Sequence, residues 1–208
     1  MNRKLILVGL LIAASASATT VYQVTGPSGA NWSASTTQIL YGSWTQSGSY
    51  SNVSISAFVS NGSSAYLTNL IGGTATAGNV IASTTFSVGG ATLTQLFSGL
   101  SLGPGTYYLV IGGTVSGTWP EASPPTVTTD AGVTANGYGF CNTTGYGSCN
   151  FANPYASTFV ASSLNSQFLV DGTADGVPEP ATLGTMASAL LALAGWGTLR
   201  RRKSRPAA

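Results

Sequence analysis

Ser51-Asn52-Val53-Ser54-Ile55-Ser56-Ala57-Phe58-Val59-Ser60 alternates side by side: Val53, Ile55, Ala57 and Val59 fall on one face of an extended chain, Asn52, Ser54, Ser56 and Phe58 on the other. Successive side chains of a β-strand point to opposite sides, so a period of two reads as a strand with one buried face. Working outward, further short strand-like segments lie at 37–44, 65–71, 80–88, 92–97, 106–111 and 167–170. Turn signals fall between them at Asn61-Gly62, Gly72-Gly73, Gly89-Gly90, Gly103-Pro104-Gly105 and Gly112-Gly113. No stretch long enough for a helix in this region avoids glycine or a dense β-branched run. The pattern predicts an all-β domain over residues 19–170, an antiparallel β-sandwich or jelly roll. A chain of this size can bury about two-thirds of its unfolded surface, enough for a core.

The charges are segregated. Of 208 residues, seven are Lys or Arg, five are Asp or Glu and none is His. Arg3 and Lys4 open the chain; Arg200, Arg201, Arg202, Lys203 and Arg205 close it, and no basic residue lies between. Glu121, Asp130, Asp171, Asp175 and Glu179 occupy the middle. With both ends removed the protein is acidic. Nucleic-acid binding then has no basis, because neutralising phosphates requires Lys or Arg along the contact surface.

Both ends carry processing signals. Residues 1–18 combine a short basic start, the apolar run 5–14 and the small-residue exit Ala16-Ser17-Ala18, which reads as a signal peptide cut by signal peptidase after Ala18. Residues 181–199 are uncharged and mostly apolar. As a helix they would extend about 28 Å, close to the hydrocarbon thickness of a bilayer. The basic tail 200–205 follows at once and holds that end in the cytoplasm. Before processing, both ends face the cytoplasm and the middle lies outside. Residues 171–176 read as a flexible linker to this anchor, with Asp171 and Asp175 as a weaker reading for Ca²⁺.

Val177-Pro178-Glu179-Pro180-Ala181-Thr182, the apolar segment and Arg200-Arg201-Arg202-Lys203 together resemble a PEP-CTERM sorting signal, spanning 177–208. Prolines at 178 and 180 fix φ and remove two donors, leaving an extended strip just outside the bilayer. The resemblance implies recognition of Pro178, Glu179 and Pro180 by an exosortase-type membrane protease, with transient membrane insertion. It also implies cleavage near that motif and an outer-surface or extracellular location in a Gram-negative bacterium that makes exopolysaccharide. Leu100-Ser101-Leu102-Gly103-Pro104-Gly105-Thr106-Tyr107-Tyr108-Leu109 is similar to a strand–turn–strand seen in β-sandwich domains of such proteins.

Residues 114–150 read as a long irregular excursion, with Pro120, Pro124 and Pro125 and a Gly/Tyr/Asn-rich run at 136–150. Cys141 and Cys149 lie in it and are expected to pair in an oxidising envelope, free thiols or an intermolecular bond being the alternatives. Without His, the Ser-His-Asp and Cys-His arrangements and the common zinc-enzyme sites have no residues to build them. No metal or cofactor is expected. The remaining catalytic option is a carboxylate pair for glycoside hydrolysis, Glu121 with Asp130. Exposed rings would suit stacking on sugar faces, with Trp32, Trp44 and Trp119, then Tyr138, Tyr146 and Tyr155, as candidates; burial in the core is the competing fate of such rings. The expectation is a non-enzymatic exported surface or matrix protein acting in exopolysaccharide and biofilm surroundings. A carbohydrate-binding module, or a glycosidase, is the alternative. Uncharged Gly-rich strand edges also leave self-association open.

Overall fold

The computed structural model describes residues 17–113, 117–163 and 165–175, the side chains of residues 30 and 31 excepted. Pro178-Glu179-Pro180, the apolar segment 181–199, the basic tail with Arg200, Arg201 and Arg202, and most of the expected signal peptide lie outside the described residues. Twelve strands are described. They are β1 (Thr19–Thr25), β2 (Ser28–Ala34), β3 (Gln38–Gln46), β4 (Tyr50–Thr68), β5 (Val80–Leu102), β6 (Gly105–Gly112), β7 (Gly117–Ala122), β8 (Thr126–Thr129), β9 (Val133–Asn142), β10 (Val160–Ser162), β11 (Asn165–Ser166) and β12 (Phe168–Ala174). The ladders are antiparallel throughout, and the sheet curls into a sandwich-like half-barrel.

The hairpin of β4 and β5 is the spine. These strands have 19 and 23 residues, far longer than the separate segments expected at 51–60, 65–71, 80–88 and 92–97. Asn61-Gly62 and Gly89-Gly90 are not turns. Val59 pairs with Thr92 and Asn61 with Val88, so Gly89, Gly90 and Ala91 bulge opposite Ser60 while Asn61 takes a φ of 57°. Left-handed backbone serves a bulge as well as a turn, and the bulge bends the hairpin without reversing it. The reversal itself lies at residues 69–79. There the Thr68 hydroxyl donates to the Asn79 carbonyl at 2.9 Å and the Asn79 amide donates to Asn69 Oδ1 at 3.1 Å.

Along its other edge β4 pairs in turn with β12 at residues 50–57, with β7 at Ser60 and Asn61, and with β6 at residues 64–68. Beyond β12 come β1 and β8; beyond β6 come β3, β9 and β10; β7 is flanked by β2 and β11. The face read from sequence is buried throughout, Val53, Ile55, Ala57 and Val59 each having no exposed surface. The halves meet where aromatic rings of the neighbouring strands β1 and β12 pack against Trp44 of β3, a strand that is a ladder neighbour of neither. Tyr22 of β1 lies 5.0 Å from Phe168 of β12 and 6.0 Å from Trp44 of β3, while Phe168 lies 5.9 Å from Trp44. Gly42 admits this closure, since a Cβ there would stand 2.6 Å from the Phe168 ring.

The expected excursion at 114–150 is largely strand: β7, β8 and β9 lie within it. In β9, Gly137 and Gly139 alternate with Tyr138 and Phe140. Pairing of Tyr138 with Gly42 and Phe140 with Leu40 turns the rings to the core side, and the Tyr41 ring lies over Gly139. The expected linker at 171–176 is also strand as far as Ala174, with Asp171 opposite Ser54. On the outer face, Ile39, Val110 and Cys141 form a second apolar cluster with Tyr41, Tyr108 and Phe159 packed against it.

Candidate functional site

Two of the three candidate tryptophans are core residues. Trp44 and Trp119 have no exposed surface. Trp44 Nε1 donates to Gln46 Oε1 at 3.1 Å and Trp119 Nε1 to the Gln167 carbonyl at 2.9 Å. A ring buried on both faces offers nothing to a sugar, so both drop out as stacking residues. Tyr138 and Tyr155 are buried as well. Trp32 is half-buried at the margin of the core, and Tyr146 is 56% exposed.

These two surface rings belong to one ribbon. Trp32 of β2 stacks on Phe140 of β9 at 5.8 Å with an interplanar angle of 27°, and Phe140 lies 5.6 Å from Tyr146. Phe140 is the functional candidate that sequence reasoning passed over; its alternation with Gly137 and Gly139 was the available signal. The ribbon has a polar flank. Trp32 Nε1 donates to Glu121 Oε2 at 2.7 Å, which fixes the indole against β7. Gly29 makes room for that carboxylate, since a Cβ there would meet Glu121 Oε1 at 2.7 Å. Gln167 Nε2 donates to the Glu121 carbonyl at 3.2 Å. Burial, and after it the Glu121 charge, hold the Tyr138 hydroxyl well above the usual phenol range, against a lowering contribution from Ser166.

Tyr146 is placed by a short covalent ring. Cys141 and Cys149 form a disulfide with Cα atoms 5.4 Å apart. Inside it, the Asn142 N–H donates to the Tyr146 carbonyl at 2.8 Å, and Asn142 Oδ1 accepts from the N–H groups of Thr144 and Tyr146. Ser148, the last residue within the ring, exchanges two backbone bonds of 2.8 and 2.9 Å with Thr158 outside it. At Gly147, φ is +69° and a Cβ would run into the Thr158 carbonyl, so glycine is required for the loop to lie down here.

The carboxylates are dispersed. Glu121 sits on β7 with Trp32, whereas Asp130, past the end of β8, accepts from the Tyr50 hydroxyl at 3.0 Å. Asp171 accepts from Thr20 and Asp175 from Ser51. The two acids proposed for hydrolysis thus have separate partners on separate strands. Among the described residues no group of three or more His, Cys, Asp or Glu is placed to hold a metal ion. A groove of about 440 Å³ lined by Asn69, Leu70, Ile81 and Tyr107 lies at the hairpin end, away from the ribbon residues.

What these elements define is an all-antiparallel β half-barrel with an aromatic ribbon at its margin. Comparison with family models, with curated proteins and with solved structures gives no match, so the functional reading rests on the site itself.

Proposed function

We propose that this chain is an exported glycan-binding module, sorted to the outer surface or extracellular matrix through Pro178-Glu179-Pro180. The observation that carries the binding reading is the Trp32–Phe140–Tyr146 ribbon, its indole held by the buried Glu121 carboxylate and its polar flank offered by the half-buried Gln167 amide. Sugar rings present apolar C–H faces that lie against aromatic faces and hydroxyls that reach neighbouring amides and carboxylates. Residues 19–175 contain Glu121, Asp130, Asp171 and Asp175 but no Lys, Arg or His. Such a surface disfavours polyanionic chains and suits a neutral polysaccharide. Export is supported by the start of β1 at Thr19, immediately after the expected signal-peptide cut, and by a disulfide, which persists in oxidising compartments. Signal peptidase and an exosortase-type protease are the processing partners of this reading, and no catalytic step is assigned to the domain.

The test uses protein recovered from the surface fraction of an exosortase-competent host. Its mass should correspond to a chain starting at Thr19 and ending near Pro180. Affinity electrophoresis in gels containing soluble β-glucan, galactomannan or the host's own exopolysaccharide should show retardation by at least one of them. Trp32→Ala with Tyr146→Ala should remove the retardation. Retardation that survives the double substitution sinks the ribbon as the site, and a chain still ending at Ala208 in every fraction sinks the sorting reading.

A further inference from the structure

Within β5, residues 80–88 read Val-Ile-Ala-Ser-Thr-Thr-Phe-Ser-Val, with no charge and no proline. Among the described residues β5 pairs with β4 alone, so its other edge offers a row of backbone donors and acceptors. The two stretches of β5 differ. From Asn61↔Val88 to Leu67↔Ala82 the ladder runs without a register break, whereas residues 92–102 are interrupted by bulges, one at Gly99 with φ +68°. Bulges twist an edge away from further pairing; a regular ladder leaves it open.

The geometry points to residues 80–88 as a homotypic edge, where a second copy of this chain adds its own β5 antiparallel about a two-fold axis at Thr84. Side-chain sizes fit that register. Val80, Ala82, Thr84, Phe86 and Val88 are half-buried, with Ala82, Phe86 and Val88 packed against the main core at its open margin. About Thr84, Ala82 falls opposite Phe86 of the partner subunit and Val80 opposite Val88 of the partner subunit. Small meets large at Ala82 and Phe86, valine meets valine at the ends, and the core continues across the seam. Ile81, Ser83, Thr85 and Ser87 are exposed on the other face, so no like charges meet. The chain's own ends are poor rivals for this edge. If both ends are processed as proposed above, residues 176–180 remain beyond Asp175. They reach at most about 18 Å, against about 30 Å of regular edge.

The decisive experiment is disulfide trapping in the full chain, produced in an exosortase-competent host, with its mass recorded first so that processing and pairing are read separately. Residues facing across either kind of antiparallel pair have Cα atoms about 4.5–5.5 Å apart, within disulfide range. Thr84→Cys, oxidised at micromolar concentration, should give a dimer bonded at residue 84 in most of the protein. Thr94→Cys, in the bulged half, should give less than about a tenth as much. Ser83→Lys with Thr85→Lys, both on exposed positions, should abolish trapping while the circular dichroism is unchanged. Equal trapping at 84 and 94, no trapping at 84, or trapping that survives the paired lysines overturns the proposal. A monomer in which the amides of residues 80–88 that point away from β4 are protected from exchange also overturns it, since a segment of the same chain then covers the edge.

Discussion

The Trp32 indole and the Glu121 carboxylate are joined by a 2.7 Å hydrogen bond that ties β2 to β7 and sets the tilt of the half-buried ring at the margin of the core. Glu121→Gln retains an acceptor at that place and should preserve both the fold and most of the glycan retardation. Glu121→Leu leaves the indole N–H without this acceptor and should cost about 1–3 kcal/mol in urea unfolding. Glycan affinity should fall with it. Equal effects of the two substitutions would show that the acceptor has no part in positioning Trp32.

Position in the fold separates the tryptophans. Trp44→Ala empties a site with no exposed surface, packed against Tyr22, Tyr107 and Phe168. It should lower stability by about 3–5 kcal/mol, read by denaturant titration. Tyr146→Ala, at an exposed loop position, should stay within about 0.5 kcal/mol of the parent. It should nevertheless weaken retardation in glycan gels about tenfold, a ring contact worth roughly 1.4 kcal/mol.

Reducing the Cys141–Cys149 bond should have two readable effects. The loop is short, with a sequence separation of 8. Chain entropy therefore gives the bond about 2.5 kcal/mol at most. Because Tyr146 lies inside that loop, glycan retardation should fall at reductant concentrations where the near-ultraviolet spectrum of the core is unchanged. Loss of both signals together would tie the loop to global folding and not to the ribbon.

Alkaline pH should destabilise the domain. Burial pushes Tyr22 from the ordinary 10.0 up to about 12, and burial with the Asp130 hydrogen bond and charge pushes Tyr50 to about 12. Tyr138 is raised further, mainly by burial. The unfolded chain releases these protons near pH 10 while the folded chain holds them. Their stabilising contribution is therefore whole below about pH 10 and is lost as pH rises toward 12. With no His in the chain and both cysteines bonded, no imidazole or thiol titrates near neutrality. Thermal midpoints should be level from pH 7 to 9 and decline above 10. Tyr22→Phe should make that decline shallower; an unchanged slope would refute the assignment of Tyr22.

The alternation at residues 51–60 was enough to place one buried face, because a period of two survives whatever lies next to it. Strand length was not legible. Asn61-Gly62 and Gly89-Gly90 carry the same local signal whether the chain reverses or only bulges, and long-range pairing between β4 and β5 decides which. Residues 117–122 read as loop because Pro120 and Glu121 interrupt them. In the fold Pro120 stands opposite Asn31, and Glu121 opposite Ser166. Asp171-Gly172-Thr173 has the composition of a linker, yet Asp171 accepts from Thr20 inside a ladder. Composition alone ranks Trp44, Trp119 and Trp32 equally; only the closure of the two halves around Phe168 separates them. Tyr146 and the disulfide were both visible in the sequence, but the ring that brings Tyr146 to Phe140 was not.

β12, from which the C-terminal segment leads off, runs between β1 and β4 and bonds to both. Pulled from its C-terminal end, it cannot peel away one hydrogen bond at a time. Both ladders must slide together, with Phe168 and Val170 dragged out of the core in the same event. A strand clamped on two sides yields in shear, the mechanically strong mode.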